Sequence, residues 1–234
     1  MSVAVERWLA LPGLGCPPST FDGVRTLLPA SVHLDVRDRH LTASVEDLLA
    51  DGPVDGVVGH SLGGLLALEA ALREPERVGR VVLLDPTRPH EQGPAGPVRA
   101  AALATARAAT RAPGAEVLAS AVDRAAARWW RRRGVTSTGD AAPGTAGWRS
   151  LLDELDAGWD RAARVDALLT AGPPRVPVVL AVPERHGRRE QRADVLLARR
   201  TAARLVRVAR TGHLVPCDRP DAVAELLVGG PEPA

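Results

Sequence analysis

The stretch VVGHSLGGLLALEAAL, residues 57–72, runs from a short apolar strand into Gly-His-Ser-Leu-Gly and then directly into a helix. A strand that turns this sharply forces its central residue into strained backbone geometry. Side chains at Gly59 and Gly63 would clash where strand and helix cross. The turn lifts the Ser61 hydroxyl above the strand end. It also sets Ser61 at a helix N-terminus, where unpaired N–H groups and the helix dipole favour developing negative charge. Gly-x-Ser-x-Gly alone is a weak pattern. The strand before it and the helix after it make Ser61 a candidate nucleophile.

Outward from this junction, strand and helix alternate. RWLALPG (7–13), SVHLDV (31–36), VDGVVGH (54–60), RVVLLD (80–85), VPVVLAV (176–182) and RLVRVA (204–209) read as strands. VEDLLAD (45–51), residues 61–73 and DAVAELLV (221–228) read as helices. The expected class is α/β: a mostly parallel twisted sheet of six to seven strands with helices on both faces. Residues 88–165 differ, being rich in Ala, Arg and Pro, and helical spacing recurs near 98–111, 115–132 and 148–169. They read as a helical lid lying over the sheet's C-terminal edge. The chain then divides into a first core part (1–87), the lid insertion (88–165) and a second core part (166–234).

Composition narrows the function classes. A chain of 234 residues, 45% hydrophobic and 25% charged, is long enough for one well-cored domain with an insertion. It contains no Lys, Ile, Asn or Tyr, so all 30 basic residues are Arg. Those four residues share A/T-rich codons, which points to a G+C-rich genome. The Arg-dense stretch from Arg185 to Arg210 therefore reads as a solvated helix face, not a nucleic-acid footprint, as the net charge of +2 agrees. RWWRRR (128–133) reads the same way. No apolar run approaches the ~20 residues of a membrane span, and the N-terminus lacks a signal-peptide pattern, so the cytoplasm is the expected compartment. Two cysteines, Cys16 and Cys217, make no disulfide framework. The six histidines lack metal-ligand spacing, so neither metal nor cofactor is expected. The oligomeric state stays open.

A serine hydroxyl needs a base to take its proton. His213 follows the last strand in a Gly-His loop, and an imidazole of ordinary pKa ~6.5 exchanges protons near neutrality. His60, beside the serine, should point to the other side of the turn and be structural. Cys16 and Cys217 lie off any helix-starting elbow and are not expected to compete as nucleophiles.

LPGLG (11–15), VVGHSLGG (57–64), VPVVLAVPE (176–184) and RTGHLVPCDRPDAVAELL (210–227) together resemble the α/β-hydrolase fold superfamily over nearly the whole chain. They resemble, in turn, the loop after its third strand, its nucleophile elbow, its seventh strand, and its histidine loop with the last helix. Earlier edge strands are then expected to be missing or reduced to SVAV. The resemblance implies a serine hydrolase that cleaves an ester or thioester of a small to medium acyl substrate through an acyl-enzyme on Ser61. It implies His213 as base and the backbone N–H groups of Leu14 and Leu62 as oxyanion donors, with Pro12-Gly13 where the family commonly has His-Gly. The family's usual acid follows the seventh strand in a turn like Gly-Glu-x-Asp. Here that turn reads VPERHG, and His186 holds the acid's place. A known variation puts the acid after the sixth strand, which here ends in Asp85. Asp85 is the expected acid; Glu184, or a Ser-His pair without an acid, are the alternatives. Trp129, Trp130 and Cys16 are expected to line the substrate pocket, with Trp148 and Trp159 as further lid aromatics. A biosynthetic tailoring enzyme on the same site, or a non-catalytic binding protein, are the competing functions.

Overall fold

Short runs of Val and Leu build the sheet of this computed structural model, which describes residues 5–38, 41–90, 96–135 and 144–229. The strands are β1 (Glu6–Leu11), β2 (Val32–Val36), β3 (Gly56–His60), β4 (Val81–Leu84), β5 (Val178–Pro183) and β6 (Arg204–Val208). All pair in parallel, in the order β2-β1-β3-β4-β5-β6. Of SVAV, residues 2–4 lie outside the described residues.

Side chains alternate along each strand, so one sheet builds two cores. Leu9, Leu11, Val57, Val81, Leu83 and Leu180 face α2 (Val45–Leu48), α3 (Leu62–Arg73), the end of α6 (Gly144–Ala171) and α7 (Arg188–Arg200). Trp8, Ala10, Val58, Val82, Leu84 and Ala181 face the opposite layer of α1 (Asp22–Leu27), α8 (Val215–Asp218) and α9 (Pro220–Val228). Strands paired on both sides and covered on both faces become continuous apolar runs, which is why β3 and β4 are buried throughout.

Between β4 and β5 stand α4 (Gly96–Ala109), α5 (Ala115–Arg131) and α6. Ion pairs tie them together: Arg99 to Asp160 at 2.7 Å and Arg107 to Asp153 at 2.8 Å. The Thr145 amide donates to Glu116 at 3.0 Å. α6 continues unbroken through residue 165, and Val165 and Leu169 near its end are core residues. Residues 91–95 and 136–143, within the insertion, lie outside the described residues. No helix among the described residues is long and apolar enough to cross a membrane.

Two features were not legible beforehand. A 3-10 turn (Pro18–Phe21) and α1 lie between β1 and β2, where the sequence assigned no element, because a six-residue helix that holds Gly23 and is flanked by prolines carries too little periodicity. The Arg-dense stretch holds a full helix, α7, before the edge strand β6 already expected from RLVRVA. Its helix is solvated on one face, but Ala193, Asp194, Leu197 and Ala198 are buried on the other.

One buried ion pair fastens α6 to α3. Arg161 Nε donates to Glu69 Oε2 at 2.7 Å, and its remaining N–H groups donate to the Leu41 and Ala43 carbonyls. Glu69 also accepts from Arg164 at 3.0 Å. Burial lowers the Arg161 pKa; the Glu69 charge opposes this but does not offset it fully. Removing one partner of such a pair leaves an uncompensated buried charge, at a cost of ~3–5 kcal/mol. Glu69→Ala should therefore lower stability by that amount in urea unfolding, whereas Arg107→Ala, which breaks an exposed pair, should change it by less than ~1 kcal/mol. Equal effects would show that the buried pair does not hold α6 down.

Candidate active site

The turn after β3 is as tight as its glycines require. A Cβ on Gly59 would stand 2.5 Å from the Gly63 carbonyl oxygen, and one on Gly63 would stand 2.1 Å from the Leu11 oxygen. Backbone atoms cannot step aside, so only glycine fits. Ser61 is driven to φ 53, ψ −121, a conformation side chains rarely adopt. Its amide donates to the Leu84 carbonyl at 3.1 Å, and its carbonyl accepts from Gly64 and Thr87 at 3.0 Å each. The strain is thus held from three sides.

Asp85 follows β4 directly. It too has positive φ, at 40°, and its amide donates to the Ala181 carbonyl at 2.8 Å. Pro86 packs against the elbow, where a Cβ on Gly64 would come within 2.6 Å of the Pro86 Cβ. The strand ends β3 and β4 therefore fix the serine and the aspartate relative to one another.

His213 reaches this edge from the loop after β6. Its Nδ1–H donates to Asp85 Oδ2 at 2.7 Å, and Ser61 Oγ donates to its Nε2 at 3.1 Å. The loop is pinned twice. The Gly212 amide donates to Asp218 at 3.0 Å, and His60 Nε2 donates to the His213 carbonyl at 2.8 Å. Burial, with the nearby His213, pushes His60 down to about 4, so it stays a neutral donor near neutrality. His60 thus holds the histidine loop and does not reach the serine hydroxyl.

The Gly13 loop passes directly over the serine, since a Cβ on Gly13 would stand 2.8 Å from the Ser61 Cβ. Leu14 joins Leu41, Leu62, Leu65, Leu155 and Ala162 in one cluster. Leu62 opens α3, where the first amides have no intrahelical acceptor. α6 roofs this corner: a Cβ on Gly158 would come within 2.6 Å of the Leu62 side chain. Trp129 and Trp130 stack edge to face at 4.7 Å, and Arg133 lies 3.9 Å over Trp129. Cys16 Sγ sits 3.9 Å from His60 Nδ1, behind the elbow.

Glu184 is exposed directly after β5, and it is Asp85 that the structure brings to His213. Reading the sequence missed Asp194, Arg88 and Arg207. Asp194 accepts from Arg88 at 2.7 Å, from Arg207 at 2.8 Å and from His186 at 2.9 Å. A signal existed, because Asp194 shares the helical spacing of Leu197 and Ala198 and so falls on the buried stripe of α7. Its cationic partners are remote in sequence and could not be read. Among the described residues, no three His, Cys, Asp or Glu side chains converge as a metal site.

The sequence model described as the alpha/beta hydrolase family matches residues 4–226. Among solved structures, the chain is similar to a thermophilic esterase from Thermogutta terrifontis (15% identity, TM-score 0.66, covering 97% of this chain and 89% of that one). It is also similar to an alpha/beta hydrolase fold protein from Burkholderia ambifaria (19%, TM-score 0.68, 96% and 90%). A third similar structure is the thioesterase domain from the curacin biosynthetic pathway (16%, TM-score 0.61, 97% and 92%).

Both thiols are pushed upward, Cys16 to about 12 chiefly by burial and Cys217 to about 11 for the same reason, from an ordinary 9.0. A raised thiol pKa depletes the reactive thiolate at any pH below the ordinary value, here by about a hundredfold or more. Iodoacetamide at pH 8 should accordingly alkylate the native protein about a hundredfold more slowly than the urea-unfolded chain. Comparable rates would contradict the upward shift of both half-buried thiols.

Proposed function

This chain belongs to the alpha/beta hydrolase family, and on that premise we propose that it is a serine hydrolase acting on an ester or thioester of a small to medium acyl group. The observation that carries the reading is the span of one imidazole, 3.1 Å from Ser61 Oγ on one side and 2.7 Å from Asp85 Oδ2 on the other.

In this reading Ser61 Oγ attacks the substrate carbonyl while His213 Nε2 takes its proton. Asp85 accepts from Nδ1–H, which fixes the tautomer with a free Nε2 lone pair and stabilises the imidazolium that forms. The oxyanion is met by the N–H groups of Leu14 and Leu62. Both come from segments packed against Ser61, so the donors need no reorganisation as charge develops. His213 then returns its proton to the leaving alcohol or thiol, and the bond from the acyl carbon to that group breaks. A water, deprotonated by the same histidine, cleaves the acyl-enzyme. Asp85 takes the acid's role over Glu184 because its carboxylate already bonds His213. The esterase and thioesterase neighbours support the substrate class as likenesses of fold.

The helices of residues 88–165 act as a lid in this reading, with Trp129 and Trp130 shaping the acyl pocket, while Cys16, against His60 behind the elbow, does not line it. The packing of α6 on Leu62 supports it, since a helix this close to a proposed oxyanion donor limits the room for an acyl chain.

The test is turnover of p-nitrophenyl esters and acyl thioesters of graded chain length, with Ser61→Ala as control. Ser61→Ala should abolish turnover and also fluorophosphonate labelling. Asp85→Asn should cut kcat by up to ~10⁴-fold, as losing the tautomer-holding carboxylate does in a Ser-His-Asp triad. Glu184→Gln should change it only a few-fold. The reverse pattern would assign the acid to Glu184, and full activity of Ser61→Ala would overturn the reading. Separately, Trp130→Ala should shift the preferred chain length more than the rate on an acetyl ester. Equal slowing on every ester would make that tryptophan a packing residue.

A further inference from the structure

His186 occupies the turn after β5, the place where the resembling family carries its acid. The structure sets this histidine behind Asp85. His186 Nε2 stands 3.4 Å from Asp85 Oδ1, the carboxylate oxygen that His213 does not use. His186 Nδ1 lies 2.9 Å from Asp194 Oδ2. Asp194 is 1% exposed, and Arg88 holds its Oδ1 at 2.7 Å while Arg207 holds Oδ2 at 2.8 Å. Burial would raise the Asp194 pKa, but the hydrogen bonds and charges of Arg88 and His186 outweigh it and the net shift is downward. Ionised carboxylates only accept, so each ring nitrogen of His186 must carry a proton to face Asp194 and Asp85 favourably, and the contact with Asp85 is an ion pair made by the imidazolium form. The ring is thereby fixed along one edge, and its other nitrogen is aimed at Asp85.

A carboxylate's terminal torsion is broad, so one hydrogen bond to His213 does not by itself set the plane of Asp85. The second oxygen needs a partner from a fixed direction. We propose that His186 is that partner: a positioning residue that locks the Asp85 carboxylate so that Oδ2 points at His213 Nδ1. Asp194, Arg88 and Arg207 form the rigid mount behind it. The proposal rests on the reading of Asp85 as the acid. The series then runs Ser61, His213, Asp85, His186, Asp194, and it joins β3, β4, the β5 turn, α7 and the β6 loop at one edge of the sheet.

The surroundings distinguish this role from simple packing. A cleft of about 530 Å³ opens beside the pair, lined by Asp85, Arg88, Arg185, His186, Glu190 and His213, among others. If the imidazole is removed, water can enter and solvate Asp85 Oδ1. The fold should therefore survive while the carboxylate loses its fixed plane. The loss then falls on kcat, because alignment of the acid matters when the imidazolium forms, and not on substrate binding.

Gln and Met have similar size, but only Gln offers an N–H to Asp85 Oδ1. Steady-state kinetics on a p-nitrophenyl ester should show His186→Met with kcat reduced about 10–100-fold, the scale seen when outer-shell partners of metal ligands are removed, and KM within about twofold. His186→Gln should keep kcat within about threefold of the parent. Thermal melts of the two should coincide. If His186→Met unfolds, His186→Ala, which leaves room for water, takes its place in the comparison. Equal kcat for the Gln and Met (or Ala) variants, or a change confined to KM, would overturn the proposal. Asp85→Asn separates the two failures. If Asp85→Asn is silent while His186→Met runs at the parental rate, only the positioning role falls. If Asp85→Asn stays active while Ser61→Ala is silent, the assignment of the acid falls and the role of His186 with it.

Discussion

The crossing of β3 and α3 is the constraint on which the rest of this protein depends. Gly59 lies so close to the first turn of α3, and Gly63 to the end of β1, that a methyl group on either would collide with main-chain oxygen. Nothing in a backbone-to-backbone contact can rotate away. The strain is therefore concentrated in the residue between them, and Ser61 takes the positive φ. The same closeness lets the Gly13 loop and Pro86 pack directly on the elbow. The neighbours of Ser61 are set by main-chain geometry, and their positions do not wait on any flexible side chain.

Polar groups around the elbow then follow a consistent arrangement. Each member of the series from His213 to Asp194 is held by a group on another element. His213 is held through its own carbonyl by His60, Asp85 faces His186, and His186 is fixed by Asp194. Asp194 in turn lies between two arginines. A buried carboxylate is costly unless its lone pairs are satisfied, and here three donors share that task. Further along α3, Arg161 and Glu69 do for α6 what this series does for the histidine loop. They anchor an inserted helix to the core through a buried charge pair, and α6 thereby stays over Leu62.

The contact of His213 with a carboxylate at the end of β4, and not with one in the β5 turn, has a simple geometric basis. β4 lies between β3 and β5, so the ends of both strands lie on the same edge and next to each other. A carboxylate from either can approach an imidazole arriving from β6. Asp85 does so from the strand adjoining the elbow, which leaves the β5 position free to carry a different side chain. That side chain is a histidine facing the same carboxylate.

The sheet was legible because its information is local. Parallel strands covered on both faces must be apolar along their length, and the six runs of Val and Leu say so residue by residue. Gly-His-Ser-Leu-Gly was legible for the same reason, since a backbone clash between positions four apart is a property of the motif itself. The short α1 and the buried stripe of α7 were harder to read, the first for want of length and the second because arginines on its solvated face masked Asp194. The sequence by itself determined the strands, the elbow and the chemical types able to meet there. Only the tertiary structure decided that Asp85, and not Glu184, lies against His213, and that His186 backs it. Those contacts span 128 and 101 residues (213 − 85 and 186 − 85) and depend on strand order and the bend of one turn. Hydrogen-bond geometry acts over a few ångströms in space, and a one-dimensional pattern carries no record of which distant segments the sheet sets side by side.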